Sequence, residues 1–259
     1  MESQVSLDLK ECSAIVTGAG NGLGLAIAKR FVTGGARVLL VDQDPVVLKR
    51  VGSSELPPQQ AFAMAKDLAD GDAAAEVFNS VRKTLGRVNV LVNNAAWSFH
   101  KPLLEVTQAE FDRVIRINQG APYFLAQEFC RAVVNDKAKA TNLAITNIAS
   151  VNALRGNPNL IAYAGTKGAV VAMTRAMAVE VAPLGIRVNS ISPGAVETAY
   201  TRSLIESGVI NPPDLFAKAL VKRFASCEEI ADLVAYLSSP KAAFVTGANW
   251  VIDGGFMAC

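Results

Sequence analysis

The sequence predicts an α/β fold in which helices cover both faces of a parallel sheet. Two observations carry this prediction: short, nearly continuous apolar runs alternate with helical patterns, and a glycine-rich turn joins the first run to the first helix. Such runs are typical of parallel strands that are buried on both faces. Because no repeat or linker interrupts the alternation, we expect the 259 residues to form a single domain.

The first half of the chain contains four predicted strands and three predicted helices. Apolar runs predict strands at residues 14–16, 37–41, 61–65 and 88–92. Apolar residues that recur every three or four positions predict helices at residues 25–32, 73–85 and 107–134. Gly34 and Gly35 end the first helix, and Pro122 is a candidate bend in the third.

The second half continues the pattern with three strands and two helices. Strands are expected at residues 143–149, 186–192 and 250–252, and helices at residues 163–181 and 228–237. Residues 195–224 are the least regular part, because Gly208 and Pro212-Pro213 interrupt the helical pattern. We expect this segment to be variable and mobile and to contribute to substrate binding.

The composition excludes several classes of protein. Hydrophobic residues make up 51% of the chain and charged residues 19%, which excludes disorder as the main state. Lys and Arg total 25 against 23 Asp and Glu, so the net charge of +2 gives no support for a nucleic-acid or membrane partner. The N-terminus lacks a signal-peptide pattern, and no apolar run approaches the ~18 residues that span a bilayer.

Metal-binding and disulfide patterns are not found in the sequence. The four cysteines are far apart and form no C-x-x-C pair: Cys12, Cys130, Cys227 and Cys259. We therefore expect no metal site and no disulfide framework, and the expected compartment is the reducing cytoplasm. The single histidine, His100, is expected to be a solvated loop residue outside the catalytic set.

The glycine-rich turn after the first strand predicts a phosphate-binding site. Gly18, Gly22 and Gly24 follow the spacing G-x-x-x-G-x-G, with Gly20 between them. Glycine allows the backbone to approach a ligand, and the first N–H groups of the following helix favour a pyrophosphate. The strand before the turn and the helix after it support a dinucleotide site over an ordinary tight connection.

An acidic residue at the end of the second strand indicates which dinucleotide binds. The Asp42 carboxylate can accept hydrogen bonds from both adenosine ribose hydroxyls, and it repels a 2′-phosphate. Its neighbours Asn21 and Gln43 supply no cation for such a phosphate. The sequence therefore predicts NAD over NADP, with Asp44 as the competing candidate for this acidic residue.

Three further residues predict acid–base chemistry. Tyr163 and Lys167 are four positions apart in a predicted helix, so their side chains share one face. An ammonium near a phenol favours the phenolate, which would lower the phenol pKa from its usual value of ~10. Ser150 follows a strand at the edge where open α/β sheets bind ligands, 13 residues before Tyr163, and its hydroxyl can donate to a substrate oxygen.

Taken together, these motifs resemble those of the short-chain dehydrogenase/reductase family over essentially the whole chain. The matching motifs are Thr17-Gly18-x-x-x-Gly22-Leu23-Gly24, Asp67-Leu68, Asn93-Asn94-Ala95, Ile117-Asn118-Gln119, Pro193-Gly194 with Thr198, Thr246-Gly247 and Asp253-Gly254-Gly255. The resemblance implies a Rossmann-type doubly wound parallel sheet in a single domain. The sequence departs from the family at Ala96, where a glycine is usual, and at Cys227, where a proline is common.

The resemblance also implies roles for individual residues. Tyr163 would exchange a proton with the substrate oxygen while hydride moves to or from the nicotinamide, and Ser150 would hydrogen-bond that oxygen. Lys167 would lower the Tyr163 pKa and hold the nicotinamide ribose, and Asn118 would link Lys167 to solvent through its backbone and a water. The implied cofactor site consists of Gly18, Asn21, Gly22, Leu23, Gly24, Asp42, Asp67, Leu68, Asn94, Ala95, Tyr163, Lys167, Pro193, Gly194, Val196 and Thr198.

The expected activity is the NAD-dependent interconversion of a secondary alcohol and its ketone. Substrate-pocket candidates are Trp97, Asn152 and Arg155, and the asparagines and Arg155 favour a polar small molecule such as a sugar, polyol or hydroxy acid. An oxoacyl thioester or a cyclic or steroidal ketone remains an alternative, as does a non-catalytic NAD(H)-binding sensor or scaffold. Family resemblance implies a homotetramer, with a dimer as the alternative, formed through the helices at 107–134 and 163–181.

Overall fold

A parallel sheet of seven strands forms the centre of the molecule, in the order β3-β2-β1-β4-β5-β6-β7. The computed structural model describes residues 7–136 and 140–258. The strands are β1 (Ser13–Thr17), β2 (Arg37–Asp42), β3 (Ala61–Ala65), β4 (Val90–Asn93), β5 (Leu143–Ile148), β6 (Ile186–Pro193) and β7 (Asn249–Ile252). Each strand pairs in parallel with its neighbours, which confirms the predicted sheet. The fourth strand begins at Val90, two residues later than predicted.

Helices cover both faces of this sheet. They are α1 (Gly22–Thr33), α2 (Ala73–Thr84), α3 (Gln108–Ile115), α4 (Ala121–Asn135), α5 (Ile161–Val181), α6 (Ala199–Glu206), α7 (Pro212–Ala217) and α8 (Cys227–Ser238). Because strand side chains alternate between faces, Val16 packs with α1 and α8 in one core while Ile15 packs with α2 and α4 in the other. No helix in the described part of the chain is long and apolar enough to cross a membrane.

The helix predicted over residues 107–134 is interrupted directly before Pro122, where the sequence predicts a bend, so it consists of α3 and α4 and not of one regular helix. Between α3 and α4, residues Arg116–Gly120 form a π-turn, in which the Ala121 N–H bonds to the Arg116 carbonyl. The cause is Pro122, which has no N–H to donate to the carbonyl of Asn118 and whose ring would collide with that carbonyl. The π-turn therefore changes the helix at the position of Asn118.

The expectation that residues 195–224 are irregular is wrong in part, because they contain α6 and α7. Pro212 occupies the first turn of α7, where its missing N–H costs nothing, so the Pro-Pro pair begins a helix. A bridge between Val196 and Ala225 closes the base of the segment. Neither helix has a buried residue, so the segment is attached mainly at its ends.

The order of the strands places a crevice above the middle of the sheet. The chain runs outward through β1, β2 and β3, then returns to place β4 on the other side of β1. Loops that follow β1 and β4 consequently leave in opposite directions, which opens a crevice at the carboxyl ends of the strands. This is the edge at which Gly18, Asn94 and Ser150 lie.

Candidate active site

A cleft of about 400 Å³ occupies this crevice. All the residues that the sequence predicts for cofactor binding line it, from the glycine turn to Thr198. Ser150 and Trp97 line it as well, whereas Asn118 lies beneath it and is fully buried. The predicted residues come from the ends of six strands, β1 to β6, and from α5, so the fold brings together groups that are distant in sequence.

The glycine turn at one end of the cleft has room for backbone alone. Gly18 has a φ of +63°, and a Cβ placed there would lie 2.8 Å from the Ala95 Cα. A Cβ on Gly24 would lie 2.0 Å from the carbonyl oxygen of Gly18. These contacts show that side chains cannot enter the turn, so the start of α1 stays open to the cleft.

The first backbone N–H groups of α1 receive no cap from the N-cap side chain and can bind an anion. Asn21 is the N-cap residue but its side chain makes no capping hydrogen bond, and the first turn of α1 contains no acidic residue. Helix N–H groups and the helix dipole therefore face the cleft without a neutralising side chain. This arrangement fits the pyrophosphate of a dinucleotide.

Asn94 fixes the turn from the neighbouring strand. Its side-chain amide donates to the carbonyls of Thr17 (2.9 Å) and Gly18 (3.2 Å). The Thr17 hydroxyl in return accepts hydrogen bonds from the backbone N–H groups of Asn94 and Ala95, each at 3.0 Å. This reciprocal set of bonds joins the ends of β1 and β4 directly under the cleft.

Asp42 lies at the far end of the cleft, where its carboxylate accepts two backbone hydrogen bonds. The donors are the N–H groups of Gly20 (2.8 Å) and Asp44 (3.0 Å). Asp44 itself caps the following short helical turn by accepting from the Val46 N–H, and it does not line the cleft. The geometry therefore brings Asp42, and not Asp44, to the cleft.

Two arginines near Asp42 were missed by the sequence analysis. Arg113 of α3 donates to the carboxylate of Asp67 (2.8 Å) and to the side chain of Gln43 (3.2 Å). Burial acts to raise the pKa of Asp67, but hydrogen bonds from the Ala69 N–H and from Arg113 leave that pKa below its usual value. Arg50 donates to the carbonyl of Gly20 (3.1 Å). Both cations are long-range neighbours that sequence spacing does not reveal.

The other end of the cleft contains Ser150, Tyr163 and Lys167. Lys167 is 2% exposed, and its Nζ donates to the carbonyl of Ile148 at 2.7 Å and lies 5.7 Å from the centre of the Tyr163 ring. Burial lowers the pKa of Lys167 to about 8. These positions confirm that the two side chains share one face of α5 at the cleft.

The expected lowering of the Tyr163 pKa is not found in this structure. Desolvation raises the pKa of Tyr163 to about 12, a hydrogen bond with Ser150 acts in the opposite direction, and nearby Tyr200 raises the pKa further. Since Lys167 points its ammonium at the Ile148 carbonyl, burial outweighs any help from that charge. Tyr163 is therefore a proton donor in this structure, with Ser150 as its hydrogen-bond partner.

Asn118 holds the wall of the cleft in place. Its side chain accepts from the Trp97 N–H (2.8 Å) and donates to the Trp97 carbonyl (2.9 Å) and the Thr166 hydroxyl (3.2 Å). Thr166 in turn donates to the carbonyl of Tyr163 at 2.7 Å. One buried amide thus connects the loop after β4 to the turn of α5 that carries Tyr163.

Of the three predicted substrate-pocket residues, only Trp97 lines this cleft. Asn152 lies outside it, where it accepts a hydrogen bond from Asn157, and Arg155 lines a separate cleft. Tyr200, which the sequence analysis did not select, lines the cleft from the first turn of α6. Its position two residues after Thr198 was the available signal.

Known proteins are similar to this chain over nearly its whole length. The family model described as enoyl-(acyl carrier protein) reductase matches residues 18–257. Meso-2,3-butanediol dehydrogenase from Serratia marcescens is 35% identical over 245 residues, 94% of each chain. Carbonyl reductase [NADPH] 2 from Sus scrofa is 32% identical and covers 95% of this chain and 96% of its own. A crystal structure of 3-ketoacyl-(acyl-carrier-protein) reductase from Brucella melitensis complexed with NADH superposes with a TM-score of 0.86 at 32% identity, covering 96% and 99% of the two chains.

Proposed function

The chain belongs to the short-chain dehydrogenase/reductase family, and from this premise we propose that it is an NAD-dependent oxidoreductase that interconverts a polar secondary alcohol and its ketone. The observation that carries the proposal is one continuous cleft with a glycine turn at one end and Ser150, Tyr163 and Lys167 at the other. Such a cleft can hold a dinucleotide along its length and a substrate oxygen beside the tyrosine.

In this proposal Tyr163 is the general acid and base. In reduction its phenol donates a proton to the carbonyl oxygen, and in oxidation its phenolate accepts the proton of the alcohol. When bound, the nicotinamide cofactor supplies the carbon that gives or takes the hydride. Ser150 lies beside Tyr163, and its hydroxyl donates a second hydrogen bond to the same substrate oxygen.

Lys167 and Asn118 support the proton transfer. Lys167, whose ammonium donates to the Ile148 carbonyl in this structure, would hold the nicotinamide ribose, and its positive charge would stabilise the phenolate of Tyr163 formed during turnover. Because Pro122 has no N–H, the carbonyl of Asn118 receives no α-helical hydrogen bond and can accept from a water. We infer that this carbonyl, with the water, links the Lys167 ammonium to solvent, so that Tyr163 is reprotonated between turnovers.

The preference for NAD rests on the carboxylate of Asp42. Its negative charge at the end of the cleft opposes a 2′-phosphate and accepts hydrogen bonds from ribose hydroxyls. Arg113 is bonded to Asp67 and Arg50 to the Gly20 carbonyl, so their charges are already paired or directed at backbone. NADP is the alternative, since one relative is named for NADPH and one solved structure, a gluconate 5-dehydrogenase from Beutenbergia cavernae, is described with bound NADP.

Within the class of secondary alcohols and ketones, two kinds of substrate are supported by the relatives. A polar molecule is supported by the relative named for meso-2,3-butanediol and by a further relative, galactitol 2-dehydrogenase. The oxoacyl thioester alternative is supported by the description of the family model and by the Brucella structure. We propose that Trp97, Tyr200 and the segment 195–224 form the substrate side of the cleft.

Turnover of a substrate panel tests the proposal. Wild-type protein is assayed by NADH absorbance with sugars, polyols, hydroxy acids, cyclic ketones and an oxoacyl thioester, beside Tyr163→Phe and the control Tyr236→Phe. Tyr163→Phe should lose roughly 10²–10⁴-fold in kcat, the usual contribution of a general acid, and the control should lose nothing. NADH binding without turnover of any substrate would favour the sensor or scaffold alternative.

We also propose a homotetramer, with a dimer as the alternative, in a reducing cytoplasm. Large apolar side chains are exposed on α4 and α5, among them Phe124 (54%), Val134 (65%) and Val179 (80%). Burial of such a patch is a normal driving force for association. Sedimentation equilibrium should give a tetramer that Val179→Glu dissociates, and a wild-type monomer would contradict this. The described cysteines Cys12, Cys130 and Cys227 are free thiols, which suits that compartment.

A further inference from the structure

A second cleft, about 660 Å³ in volume, lies beside the candidate active site. Its lining combines three cationic side chains, Arg155, Lys218 and Lys222, with the apolar side chains of Leu220, Phe256 and Met257. No Asp or Glu is among its lining residues. We call it the basic cleft. It has no assigned role in the oxidoreductase activity proposed above.

Backbone hydrogen bonds anchor both walls of the basic cleft, one of them directly after Ser150. The backbone N–H of Arg155 bonds to the carbonyl of Val151, the residue directly after Ser150. On the opposite wall, the N–H groups of Leu220 and Val221 both bond to the carbonyl of Gly254, at 2.9 and 2.8 Å. One wall therefore continues from the catalytic loop, and the other joins the segment 195–224 to the C-terminal turn.

The charges of Arg155 and Lys222 in the basic cleft are oriented by an aromatic ring and by backbone carbonyls, which carry no opposite charge. The Arg155 guanidinium stacks on the Phe256 ring at 4.5 Å, and the Lys222 ammonium donates to the carbonyls of Phe216 (2.8 Å) and Ala217 (3.2 Å). The carboxylate of Asp253 in the adjoining turn is occupied by the N–H groups of Gly255 (2.9 Å) and Met257 (2.8 Å). A positive potential beside apolar surface is the result.

We propose that the basic cleft is the subsite for the carboxylate end of the substrate, so that hydroxy acids and oxo acids are favoured among the polar alcohols and ketones. A carboxylate accepts charge-assisted hydrogen bonds from Arg155 and Lys222, while the carbon chain next to it lies on Leu220, Phe256 and Met257. This inference rests on the proposed function, because it extends the substrate away from Tyr163 towards Arg155.

Binding of an inert anion tests the subsite without any hydride transfer. Benzoate and benzamide have nearly the same shape and differ in charge, and neither is an alcohol or a ketone. Titration calorimetry on the full chain, with and without NADH, should give benzoate an affinity at least about tenfold higher than that of benzamide, since two cations contribute. Equal affinities for the two probes would overturn the proposal.

Substitutions locate the benzoate site. Arg155→Gln and Lys222→Gln should each weaken benzoate about fivefold, the upper value for a partly exposed charge pair, and leave benzamide unchanged. Arg155→Lys should retain most of the affinity, which separates loss of charge from loss of fold. Lys83→Gln, an exposed lysine of α2, is the matched control and should have no effect. Unchanged benzoate affinity in both cleft variants would overturn the proposal.

A kinetic comparison separates the subsite from the activity on which it rests. With 3-hydroxybutyrate and 2-butanol as substrates, Arg155→Gln should raise KM for the acid about fivefold and leave KM for the neutral alcohol unchanged. Charge-dependent benzoate binding without turnover of any alcohol would contradict the proposed function and support the subsite. Turnover of alcohols together with equal binding of benzoate and benzamide would support the proposed function and contradict the subsite.

Discussion

The two walls of the candidate active site differ sharply in burial. The strand-end region comprises the turn at 17–24, the end of β2, the loops after β4 and β5, the π-turn at 116–120 and the first turns of α5. It contains buried polar side chains at Asn118, Ser150 and Lys167. The segment 195–224 has two helices without a single buried residue. One wall is therefore fixed by the sheet, whereas the other is attached mainly at its base.

This difference indicates how the molecule divides its tasks. Groups that must meet within hydrogen-bond distance, such as Ser150 and Tyr163, are placed on elements whose positions the core determines. A thinly packed segment can change its shape or sequence without disturbing them. We expect the strand-end region to determine the reaction and the segment 195–224 to determine the substrate.

The largest expected effect comes from breaking the strand-end region at its tightest point. Gly24→Ala places a Cβ 2.0 Å from the Gly18 carbonyl, so the turn must open and NADH binding should fall by more than about 100-fold. Gly165→Ala in α5 is the matched control, because a Cβ there meets nothing and helix propensity should raise stability by about 0.5–1 kcal/mol. Fluorescence titration measures the affinity for NADH. A Gly24→Ala protein that is well folded and binds NADH as tightly as the wild type would contradict this account.

Substitution of Lys167 tests whether this buried residue lowers the stability of the fold while it increases the rate of the reaction. Lys167→Met should reduce kcat by roughly 10²-fold or more, since the phenolate loses its charged partner. Burial lowers the folded-state pKa of Lys167 to about 8, so between that pH and about 10.4 the unfolded chain binds more protons than the folded one. Stability of the wild type relative to Lys167→Met should therefore rise with pH over this window.

Urea unfolding of both proteins near pH 7 and near pH 10 measures that difference, with Lys83→Met as an exposed control. The relative stability of Lys167→Met should be highest near pH 7, where the wild type keeps a buried ammonium. If the difference in unfolding free energy between the two proteins does not change with pH, burial of the protonated Lys167 does not destabilise the fold, which would contradict this prediction.

A smaller effect is expected at the adenosine end of the strand-end region. Asp42→Ala should reduce the preference for NADH over NADPH by about tenfold, because the carboxylate no longer opposes a 2′-phosphate. A factor of about ten corresponds to a charge interaction that shifts a pKa by one unit. Asp44→Ala, which alters the adjacent acidic residue outside the cleft, should leave the preference unchanged. Equal binding of NADH and NADPH by the wild type would refute the assignment of Asp42.

The smallest effect is expected on the exposed wall. Tyr200→Phe removes a hydroxyl that lines the cleft from α6 and that raises the Tyr163 pKa. Its loss should lower the Tyr163 pKa slightly, change kcat by less than about threefold and act mainly on KM, as expected for a uniform binding contact. If Tyr200→Phe loses as much kcat as Tyr163→Phe, the segment 195–224 contributes to the reaction itself, and the proposed difference between the two walls is wrong.

Local patterns in the sequence were sufficient to predict the sheet and most of the strand-end region. Apolar runs predicted the strands because the five central ones, β1, β2, β4, β5 and β6, are buried on both faces, and the glycine spacing predicted a turn that admits no side chain. Tyr163 and Lys167 could be placed together because four residues make about one helical turn. Pro212 misled the prediction because proline either ends a helix or begins one, depending on the residues that follow.

Features that depend on distant neighbours could not be predicted in this way. Arg113 pairs with Asp67, 46 residues away, through the approach of α3 to the end of β3, and no spacing rule reveals that contact. The direction of the Tyr163 pKa shift was mistaken because it depends on burial by several elements as well as on the lysine one turn away. Arg155 lies in the predicted loop, but only the fold shows that it lines a separate cleft.

The most direct measurement of the central claim is deuterium transfer from deuterated NADH to a ketone. Wild-type protein should place the label on the carbinol carbon of the product alcohol, and Tyr163→Phe should bind NADH with the same affinity and transfer the label at least about 10²-fold more slowly. Label transfer by Tyr163→Phe at the wild-type rate, or wild-type protein that binds NADH and labels no ketone of the panel, would contradict the account.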